Sequence, residues 1–297
     1  MRVAVTGAGG RLGRALVEAL ADAPFTGLSG PIAWTRREFD LDVPAAAADL
    51  LDRDRPEVVV NAAAWTDVDG CAREPDVAHR RNEIAVRVLA EATVGRGIDL
   101  IQVSTNEIFD GARIDGRGYG PDDIPNPVNP YGESKLGGEL AAAEAYREAN
   151  AHLGILRTAW LYGAHGPNFV ATMLRLAQSR DLVDVVDDQR GQPTWSFALA
   201  EQLVRLGLAA VGGTARAGAY HGTASGETTW FGLARAVFEE AGLDPERIQP
   251  TTSDKFVRPA RRPAFSVLGH DRWAAAGLAP LPHWRTMLTS ARPHTWT

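Results

Sequence analysis

Short β-branched runs alternate with longer segments rich in alanine, leucine and arginine through the first half of the chain. The predicted strands lie at 2–6, 32–34, 58–61, 100–104 and 154–157, and the predicted helices lie at 11–21, 44–51, 76–94 and 131–146. This alternation is typical of a parallel sheet with helices on both faces. The sequence therefore predicts an α/β fold built on five strand–helix units.

Glycines at positions 7, 10 and 13 stand directly between the first predicted strand and the first helix, in the run TGAGGRLG at residues 6–13. Such a turn lets the backbone approach a pyrophosphate closely, and the helix N-terminus offers it free N–H groups. We interpret it as the dinucleotide site of a Rossmann-type, doubly wound parallel sheet. The alternative is a glycine turn that only packs helix on strand. The predicted cofactor contacts in this run are Gly7, Gly10, Arg11, Leu12 and Gly13.

Arginine replaces the acidic residue that an NAD enzyme often carries after its second strand, at Arg36 and Arg37. A guanidinium group suits the 2′-phosphate of NADPH, so NADPH is favoured and NADH stays the alternative. The two arginines as ordinary surface charges are the other interpretation. Further cofactor contacts are predicted at the carboxyl ends of the second and third strands, at Asp40, Leu41, Ala62, Ala63 and Ala64.

Tyr131 and Lys135 are four residues apart and therefore lie on one face of the predicted helix. A phenol with a pKa of about 10 is a poor proton donor near neutrality, and a nearby cation lowers that pKa. Such a pair also occurs by chance on surface helices. Thr105 ends the strand before the preceding loop and brings a hydroxyl that can hydrogen-bond the same carbonyl group. The three residues together predict proton transfer to a carbonyl.

Regular alternation loosens after residue 160, where the sequence predicts a helix at 168–179, a strand at 183–186, a turn at 187–193 and helices at 196–208 and 230–241. We expect residues 1–160 to form the dinucleotide-binding domain. Residues 161–297 should form mainly a smaller, mixed α/β substrate lobe, with about 196–222 packing back on the large sheet.

Seven motifs make the chain resemble the extended short-chain dehydrogenase/reductases and, within them, the dTDP-4-dehydrorhamnose reductases. The resemblance runs essentially from end to end, and the last three motifs are the most specific to this subgroup. The motifs are TGAGGRLG at 6–13, NAAAWTDVD at 61–69, VSTNEIFDG at 103–111, NPYGESKLGGE at 129–139, LRTAWLYG at 156–163, VVDDQRGQPT at 185–194 and RPARRP at 258–263.

The resemblance implies a mechanism and a nucleotide-sugar substrate. In it, NADPH delivers hydride to C4 of the keto sugar, Tyr131 donates the proton, Lys135 holds the nicotinamide ribose and lowers the tyrosine pKa, and Thr105 polarises the carbonyl. The resemblance also implies contacts to the sugar and to its nucleotide half. These are Thr66 and Trp160 beside the sugar, and Gln189, Gly191, Pro193 and Thr194 in a loop near the nucleotide; a core tryptophan is the alternative for Trp160.

The chain departs from the family pattern at Ser104-Thr105-Asn106-Glu107, where relatives typically read Ser-Thr-Asp-Tyr. The catalytic hydroxyl is kept, but a carboxylate replaces an aromatic residue beside the sugar, which changes packing area and charge together. Asn106 and Glu107 are therefore expected at the substrate, and the identity of the sugar and the stereochemistry at C4 stay open. A nucleotide-sugar epimerase and a non-catalytic NADP-binding regulatory subunit are the alternative functions.

Charge and composition exclude several other classes. The net charge of −6 argues against nucleic acid as a partner. Cys71 has no partner for an internal disulfide, no leader pattern precedes the first strand, and no apolar run is long enough for a membrane span, so we expect a cytoplasmic protein. The seven histidines show no zinc-ligand spacing, and we expect no structural metal. Magnesium and a homodimer stay open.

Overall fold

Strands and helices alternate along the first half of the molecule, as the sequence predicts. The protein is described by a computed structural model that covers residues 1–27, 30–211 and 213–295. The strands are β1 Val3–Thr6, β2 Ile32–Trp34, β3 Val58–Asn61, β4 Asp99–Thr105, β5 Leu153–Thr158, β6 Leu161–Tyr162, β7 Val183–Val186, β8 Arg190–Gly191, β9 Thr194–Trp195, β10 Gly218–His221, β11 Ala224–Ser225, β12 Thr228–Thr229, β13 Ile248–Thr251 and β14 Leu281–His283. The helices are α1 Arg11–Ala21, α2 Ala46–Asp54, α3 Val68–Arg73, α4 Pro75–His79, α5 Ala85–Val94, α6 Pro130–Ala145, α7 Phe169–Ala177, α8 Ser196–Val211, α9 Trp230–Glu240, α10 Asp271–Ala275 and α11 Trp284–Thr295. None of the helices in the described ranges has both the length and the apolar composition that crossing a bilayer requires.

Six parallel strands form the central sheet in the order β10-β5-β4-β3-β1-β2. The chain runs outward from β1 in both directions, first to β2 and then through β3 and β4 to β5. This change of direction leaves a crevice at the carboxyl ends of β1 and β3, which is where doubly wound sheets bind ligands. The predicted Rossmann-type fold is confirmed.

Both faces of the sheet are covered because successive side chains of each strand point to opposite sides. Val3 and Val5 of β1 pack with Leu16 of α1 in one buried cluster, which also includes residues of α8. Ala4 points the other way and packs in a second cluster with residues of α2 and α5, such as Leu51. The continuous hydrophobic composition of β1 is therefore the consequence of burial on two sides.

The chain after β5 builds a smaller group of elements beside the carboxyl edge of the sheet. Strands β7 and β13 pair in parallel, and α7 and α9 enclose a third buried cluster that includes Val170, Leu233 and Phe238. Strand β10 adds a sixth strand to the central sheet next to β5, although the sequence predicts no strand there because the segment is short and begins with glycine. The domain boundary near residue 160 stays a prediction.

The helix predicted at 76–94 is interrupted by a π-helical turn at Arg80–Ile84 between α4 and α5. The turn carries Asn82, whose side chain is almost completely buried. Its Oδ1 accepts from the backbone N–H of Trp65 at 2.8 Å, and its Nδ2 donates to the Trp65 carbonyl at 2.9 Å and to Ser134 Oγ at 3.1 Å. The irregular turn thus fixes the loop after β3 against α6, an effect that hydrophobic periodicity does not reveal.

Candidate active site

A groove of three adjoining cavities runs along the carboxyl ends of the strands. The outer cavity, of about 430 Å³, surrounds Arg36; the central cavity, of about 850 Å³, extends from the glycine turn to Lys135; the inner cavity, of about 320 Å³, surrounds Trp160. Gly10 lines both the outer and the central cavity, and Tyr131 lines both the central and the inner cavity. These shared walls make the three cavities one continuous site.

The glycine turn packs so closely on neighbouring backbone that two of its positions tolerate no side chain, whereas a Cβ on Gly9 would meet no protein atom within 4 Å. Gly7 adopts a left-handed backbone with φ +61°, and a Cβ there would lie 2.8 Å from the backbone nitrogen of Ala63. A Cβ on Gly13 would collide with the carbonyl oxygen of Gly7. Gly10 is the N-cap of α1 and has no side chain that could cap the helix. The first N–H groups of α1 therefore face the central cavity without a side-chain acceptor.

A buried hydrogen-bond network holds the ends of β1, β3 and β4 together behind the turn. Thr6 Oγ1 donates to Asn61 Oδ1, and Asn61 Nδ2 donates to Gln102 Oε1 at 2.7 Å. Thr6 Oγ1 also accepts from the backbone N–H of Ala63 at 3.1 Å. The network positions the alanine run, and Ala62, Ala63 and Ala64 all line the outer cavity.

Arg11 closes the far side of the central cavity. Its guanidinium group donates to the carbonyl oxygens of Leu161 and His165, both at 3.1 Å, and to that of Pro167. Burial lowers the pKa of Arg11. Leu12 and Gly13 line the same cavity. The arginine therefore fastens the segment after β6 across the groove and faces the ligand space at the same time.

Three guanidinium groups surround the outer cavity, those of Arg36, Arg37 and Arg81. Arg36 is 77% exposed and lies 3.5 Å from Asp40, whereas Arg81 makes a tighter pair with Asp42 at 2.6 Å. Leu41 completes the wall predicted from the sequence. Because exposed ion pairs contribute little to stability, Arg36 is free to exchange its partner for a phosphate group.

Helix α6 carries Tyr131 and Lys135 into the groove. Its N-cap is Asn129, whose Oδ1 accepts from the backbone N–H of Gly132 at 2.9 Å, and Pro130 occupies the first helical position. Both functional side chains are buried, and Lys135 Nζ donates to the Val103 carbonyl at 2.7 Å. Both line the central cavity.

Burial dominates the titration of both groups. It raises the pKa of Tyr131, a hydrogen bond with Thr105 opposes that shift, and the Glu107 and Cys71 charges add to it. Burial lowers the pKa of Lys135 to about 8. The expected lowering of the tyrosine pKa by Lys135 is not seen, because burial of the phenol dominates the shift and the ammonium group donates to the Val103 carbonyl. The phenol stays protonated, as a proton donor must.

Thr105 ends β4, and a short 3₁₀ turn, Asn106–Ile108, follows it directly. Thr105 Oγ1 donates to Asn106 Oδ1 at 3.2 Å and accepts from the backbone N–H of Glu107 at 3.2 Å. Asn106 Nδ2 in turn donates to the Ser266 carbonyl at 3.3 Å. Asn106 thereby fixes the threonine hydroxyl at the wall of the inner cavity, next to Tyr131.

Two stacked tryptophans form one wall of the inner cavity. The rings of Trp160 and Trp230 lie 3.6 Å apart and 12° from parallel. Trp160 has a left-handed backbone with φ +45°, which is rare for a bulky residue and marks strain at the site. Trp230 Nε1 donates to Gln189 Oε1 at 3.2 Å, and Gly191 packs so closely on Trp160 that a Cβ would lie 2.5 Å from its ring.

A strap formed by residues 258–263 closes the inner cavity from the C-terminal part of the chain. Asp69 holds it through Arg258 at 3.2 Å and Arg262 at 3.1 Å. Asn129 Nδ2 donates to the carbonyl of Arg261 at 2.8 Å. Arg262 and Pro263 line the cavity. This is the RPARRP motif of the sequence.

The structure brings most of the predicted site residues to the groove, but not all. Thr66 and Gln189 line the inner cavity. Pro193 and Thr194 line none of the three cavities: both are buried, and Thr194 Oγ1 donates to the Gln192 carbonyl and accepts from the Ala224 backbone N–H. Pro193 and Thr194 therefore pack in the interior and do not face the substrate space as predicted. Gly191 also lines none of the three cavities and packs against the ring of Trp160.

Several residues that line the groove were absent from the sequence prediction. Ser104 Oγ and Thr158 Oγ1 are buried without a hydrogen-bond partner among the described residues, and both line the central and inner cavities. Trp230 opens the helix predicted at 230–241, but the helical pattern does not indicate that this residue lies at the site. Arg262 belongs to a motif whose position in the fold depends on tertiary contacts.

The comparisons with known proteins identify the family of the chain. Residues 1–294 match the family described as RmlD substrate binding domain. A dTDP-4-dehydrorhamnose reductase from Streptomyces griseus is 47% identical over 97% of this chain and 92% of that protein, and a dTDP-4-keto-6-deoxy-D-glucose reductase from Streptomyces niveus is 42% identical over 97% and 96%. The crystal structure of a Bacillus anthracis dTDP-4-dehydrorhamnose reductase in complex with NADP superimposes with a TM-score of 0.87 at 32% identity, over 98% of each chain. The chain therefore belongs to the RmlD family, the family of the dTDP-4-dehydrorhamnose reductases, as its motifs predict.

Proposed function

We propose that this protein uses NADPH to reduce the C4 keto group of a nucleotide-linked 4-keto-6-deoxy sugar, with dTDP-4-dehydro-L-rhamnose as the substrate and dTDP-L-rhamnose as the product. The observation that carries the proposal is the meeting of Tyr131 and Thr105 at the wall between the central and inner cavities. The names of the relatives from Streptomyces and the NADP complex from Bacillus anthracis support it.

The residues of the outer and central cavities fit a dinucleotide phosphate. The tight turn at Gly7 and Gly13, the open position at Gly9 and the uncapped start of α1 suit a pyrophosphate. Arg36 and Arg37 suit the 2′-phosphate. The orphaned hydroxyls of Ser104 and Thr158 lie farther along the groove, where a carboxamide group would satisfy them.

Bound NADPH supplies a hydride to the carbonyl carbon. When the substrate binds, Thr105 turns its one hydroxyl proton from Asn106 Oδ1 to the carbonyl oxygen, and Tyr131 transfers its phenolic proton to that oxygen as negative charge develops. Lys135 holds a ribose hydroxyl, and its ammonium group stabilises the phenolate left behind. Trp160 and Trp230 cover the sugar ring and exclude water.

A test of this function mixes the purified protein with dTDP-4-dehydro-L-rhamnose and follows nicotinamide oxidation by absorbance. We expect stoichiometric consumption of NADPH and formation of dTDP-L-rhamnose by chromatography. An epimerase would convert its substrate without net consumption, and a regulatory subunit would bind NADPH without turnover. Parallel assays with EDTA and with added magnesium determine whether the reaction needs a divalent ion.

Cofactor choice is tested separately at the outer cavity. We expect Arg36→Ala together with Arg37→Ala to weaken NADPH binding about tenfold or more, since a charge-assisted hydrogen bond to phosphate contributes about 1.5–3 kcal/mol, and to leave NADH binding nearly unchanged. Arg53→Ala, an exposed arginine of α2 that lines none of the three cavities, is the matched control. Equal losses for both cofactors would show that the arginines do not read the 2′-phosphate.

A further inference from the structure

The carboxylate of Glu107 faces the inner cavity with one oxygen unused. Its Oε2 accepts from Asn129 Nδ2 at 2.7 Å, while no hydrogen bond to Oε1 exists among the described residues. The side chain is partly buried, and burial raises the pKa of Glu107. Oε1 is not among the fully buried orphaned atoms, so it opens into the inner cavity, where water or a bound ligand must supply its donor.

The cationic neighbours of Glu107 are already engaged elsewhere. Arg262 favours the anionic form of the carboxyl group, but its guanidinium group pairs with Asp69 at 3.1 Å and donates to the Ala260 carbonyl at 3.0 Å. Within the described part of the chain, no cation lies within ion-pair distance of Glu107, and the nearby Asp69 carries the same charge. The free oxygen is therefore an acceptor for a neutral or cationic donor.

Glu107 also lies next to the reacting groups. Its backbone N–H donates to Thr105 Oγ1 at 3.2 Å, and its charge acts on Tyr131. A keto group held between Thr105 and Tyr131 brings the neighbouring ring carbon close to this turn. In a 4-keto-6-deoxyhexose, the neighbour that bears an exchangeable donor is C3, because C5 carries only the methyl group and the ring oxygen.

We propose that Glu107 selects 4-keto sugars that carry a hydrogen-bond donor, a hydroxyl or an amino group, on C3. The proposal rests on the proposed function and names the substrate class of the same site. An apolar or aromatic residue at this position would tolerate a C3-deoxy sugar, whereas an acceptor left unpaired disfavours it. Glu107 is thus a specificity-determining residue of the inner cavity.

A structural role is the competing explanation, because Glu107 orients Asn129 and Asn129 caps the helix that carries Tyr131. Glu107→Gln separates the two roles. The glutamine Oε1 can still accept from Asn129, which preserves the cap, but its NH₂ group then replaces the free acceptor in the cavity. Asn129→Ala is the matched control, since it removes the cap and the Nδ2 donor but keeps a carboxylate acceptor in the cavity.

The experiment measures kcat and KM for a pair of dTDP-4-keto-6-deoxyhexoses with and without a C3 amino group, which is protonated near neutrality and can only donate. In the wild type, we expect kcat/KM to favour the amino sugar about ten- to a hundredfold, with most of the difference in KM. Glu107→Gln should bring this ratio close to one, because the ammonium group cannot accept from the glutamine NH₂ group. Asn129→Ala should lower turnover of both sugars and keep the ratio.

Three outcomes overturn the inference. A wild-type ratio near one shows that Glu107 does not read C3, even if the glutamine variant cannot be purified. An unchanged ratio in Glu107→Gln, with NADPH affinity intact as evidence of folding, leaves only the structural role. No turnover of either sugar by the wild type, in contrast, overturns the proposed function and the inference with it.

Discussion

The outer and central cavities differ from the inner cavity in what their walls are made of. The first two include continuous runs of mostly small residues, such as 9–13 and 62–64, beside the arginines of the outer cavity. The inner cavity is built from large side chains of separate segments, including Thr105, Trp160, Trp230 and Arg262. A cofactor shared by many enzymes can be recognised by the backbone geometry of one short turn. A particular sugar is recognised by individual side chains, which substitution can change without altering the fold.

This difference separates two kinds of defect. Changes in the inner cavity should alter turnover and sugar affinity without affecting cofactor binding, because the glycine turn and the network behind it are formed by other residues. The junction is the wall between the central and inner cavities, to which Ser104 and Thr158 belong. Changes at the junction should affect binding of the nicotinamide half of the cofactor alone. Each variant below tests whether the two parts of the groove are independent in this way.

The largest effect is expected for Tyr131→Phe. The change removes only the phenolic proton donor, so kcat should fall by about 10²–10⁴, while the dissociation constant for NADPH changes little. Steady-state kinetics and fluorescence titration of NADPH measure the two quantities. Tyr146→Phe, which removes a buried hydroxyl at the opposite end of the same helix, controls for stability loss. Turnover within threefold of the wild type would exclude Tyr131 as the donor.

The sequence predicts the cofactor part of the groove well because its determinants are local. Glycine spacing, the strand before it and the helix after it lie within residues 3–21, and the predicted first helix and third strand match the structure at both ends. Tyr131 and Lys135 are predictable for the same reason, since one helical turn joins them.

The inner cavity is less predictable because its parts meet only in the folded chain. Trp230 joins Trp160 across 70 positions, and Arg262 arrives through its pairing with Asp69. Conversely, Thr194 belongs to a recognisable motif but turns into the interior, where its hydroxyl completes backbone hydrogen bonds. A motif identifies residues that matter, and tertiary contacts decide which of them face the ligand.

A smaller effect is expected for Trp230→Leu, which removes half of the stacked pair over the inner cavity. Loss of an aromatic contact should raise the KM for the sugar about tenfold and leave NADPH affinity unchanged. Phe231→Leu changes the adjacent residue, which packs in the core of the C-terminal part and lines none of the cavities. If Trp230→Leu weakens NADPH binding as much as sugar binding, the two parts of the groove are not independent.

Ser104→Ala combined with Thr158→Val tests the junction itself. Two buried hydroxyls that lack partners among the described residues should donate to or accept from the nicotinamide half of the cofactor, and at about 0.5 kcal/mol each, the low end for a neutral hydrogen bond, they contribute about 1 kcal/mol together. We expect NADPH affinity to fall about fivefold, with no change for 2′-phospho-ADP-ribose, which lacks the nicotinamide ring. Calorimetric titration of both ligands checks this, and an equal loss for both would place the hydroxyls elsewhere in the binding process.

The smallest effect is expected for the stability of Lys135→Met. The variant should lose activity, but its free energy of unfolding should rise. Burial lowers the folded-state pKa of Lys135 from 10.5 to about 8, so at pH 7 folding buries an ammonium group whose one hydrogen bond from the side chain reaches Val103. Methionine of similar length avoids that desolvation, and we expect the free energy of unfolding without cofactor to rise by about 1 kcal/mol at pH 7.

The pH dependence gives this prediction its sign. Above pH 8 the folded wild type loses the Lys135 proton while the unfolded chain keeps it, so the unfolded state binds more protons and wild-type stability rises relative to the variant up to about pH 10.5. The advantage of Lys135→Met should therefore shrink over that interval in urea unfolding curves. A variant less stable than the wild type at pH 7 would mean that the ammonium group stabilises the junction between the two parts of the groove even before a ligand binds.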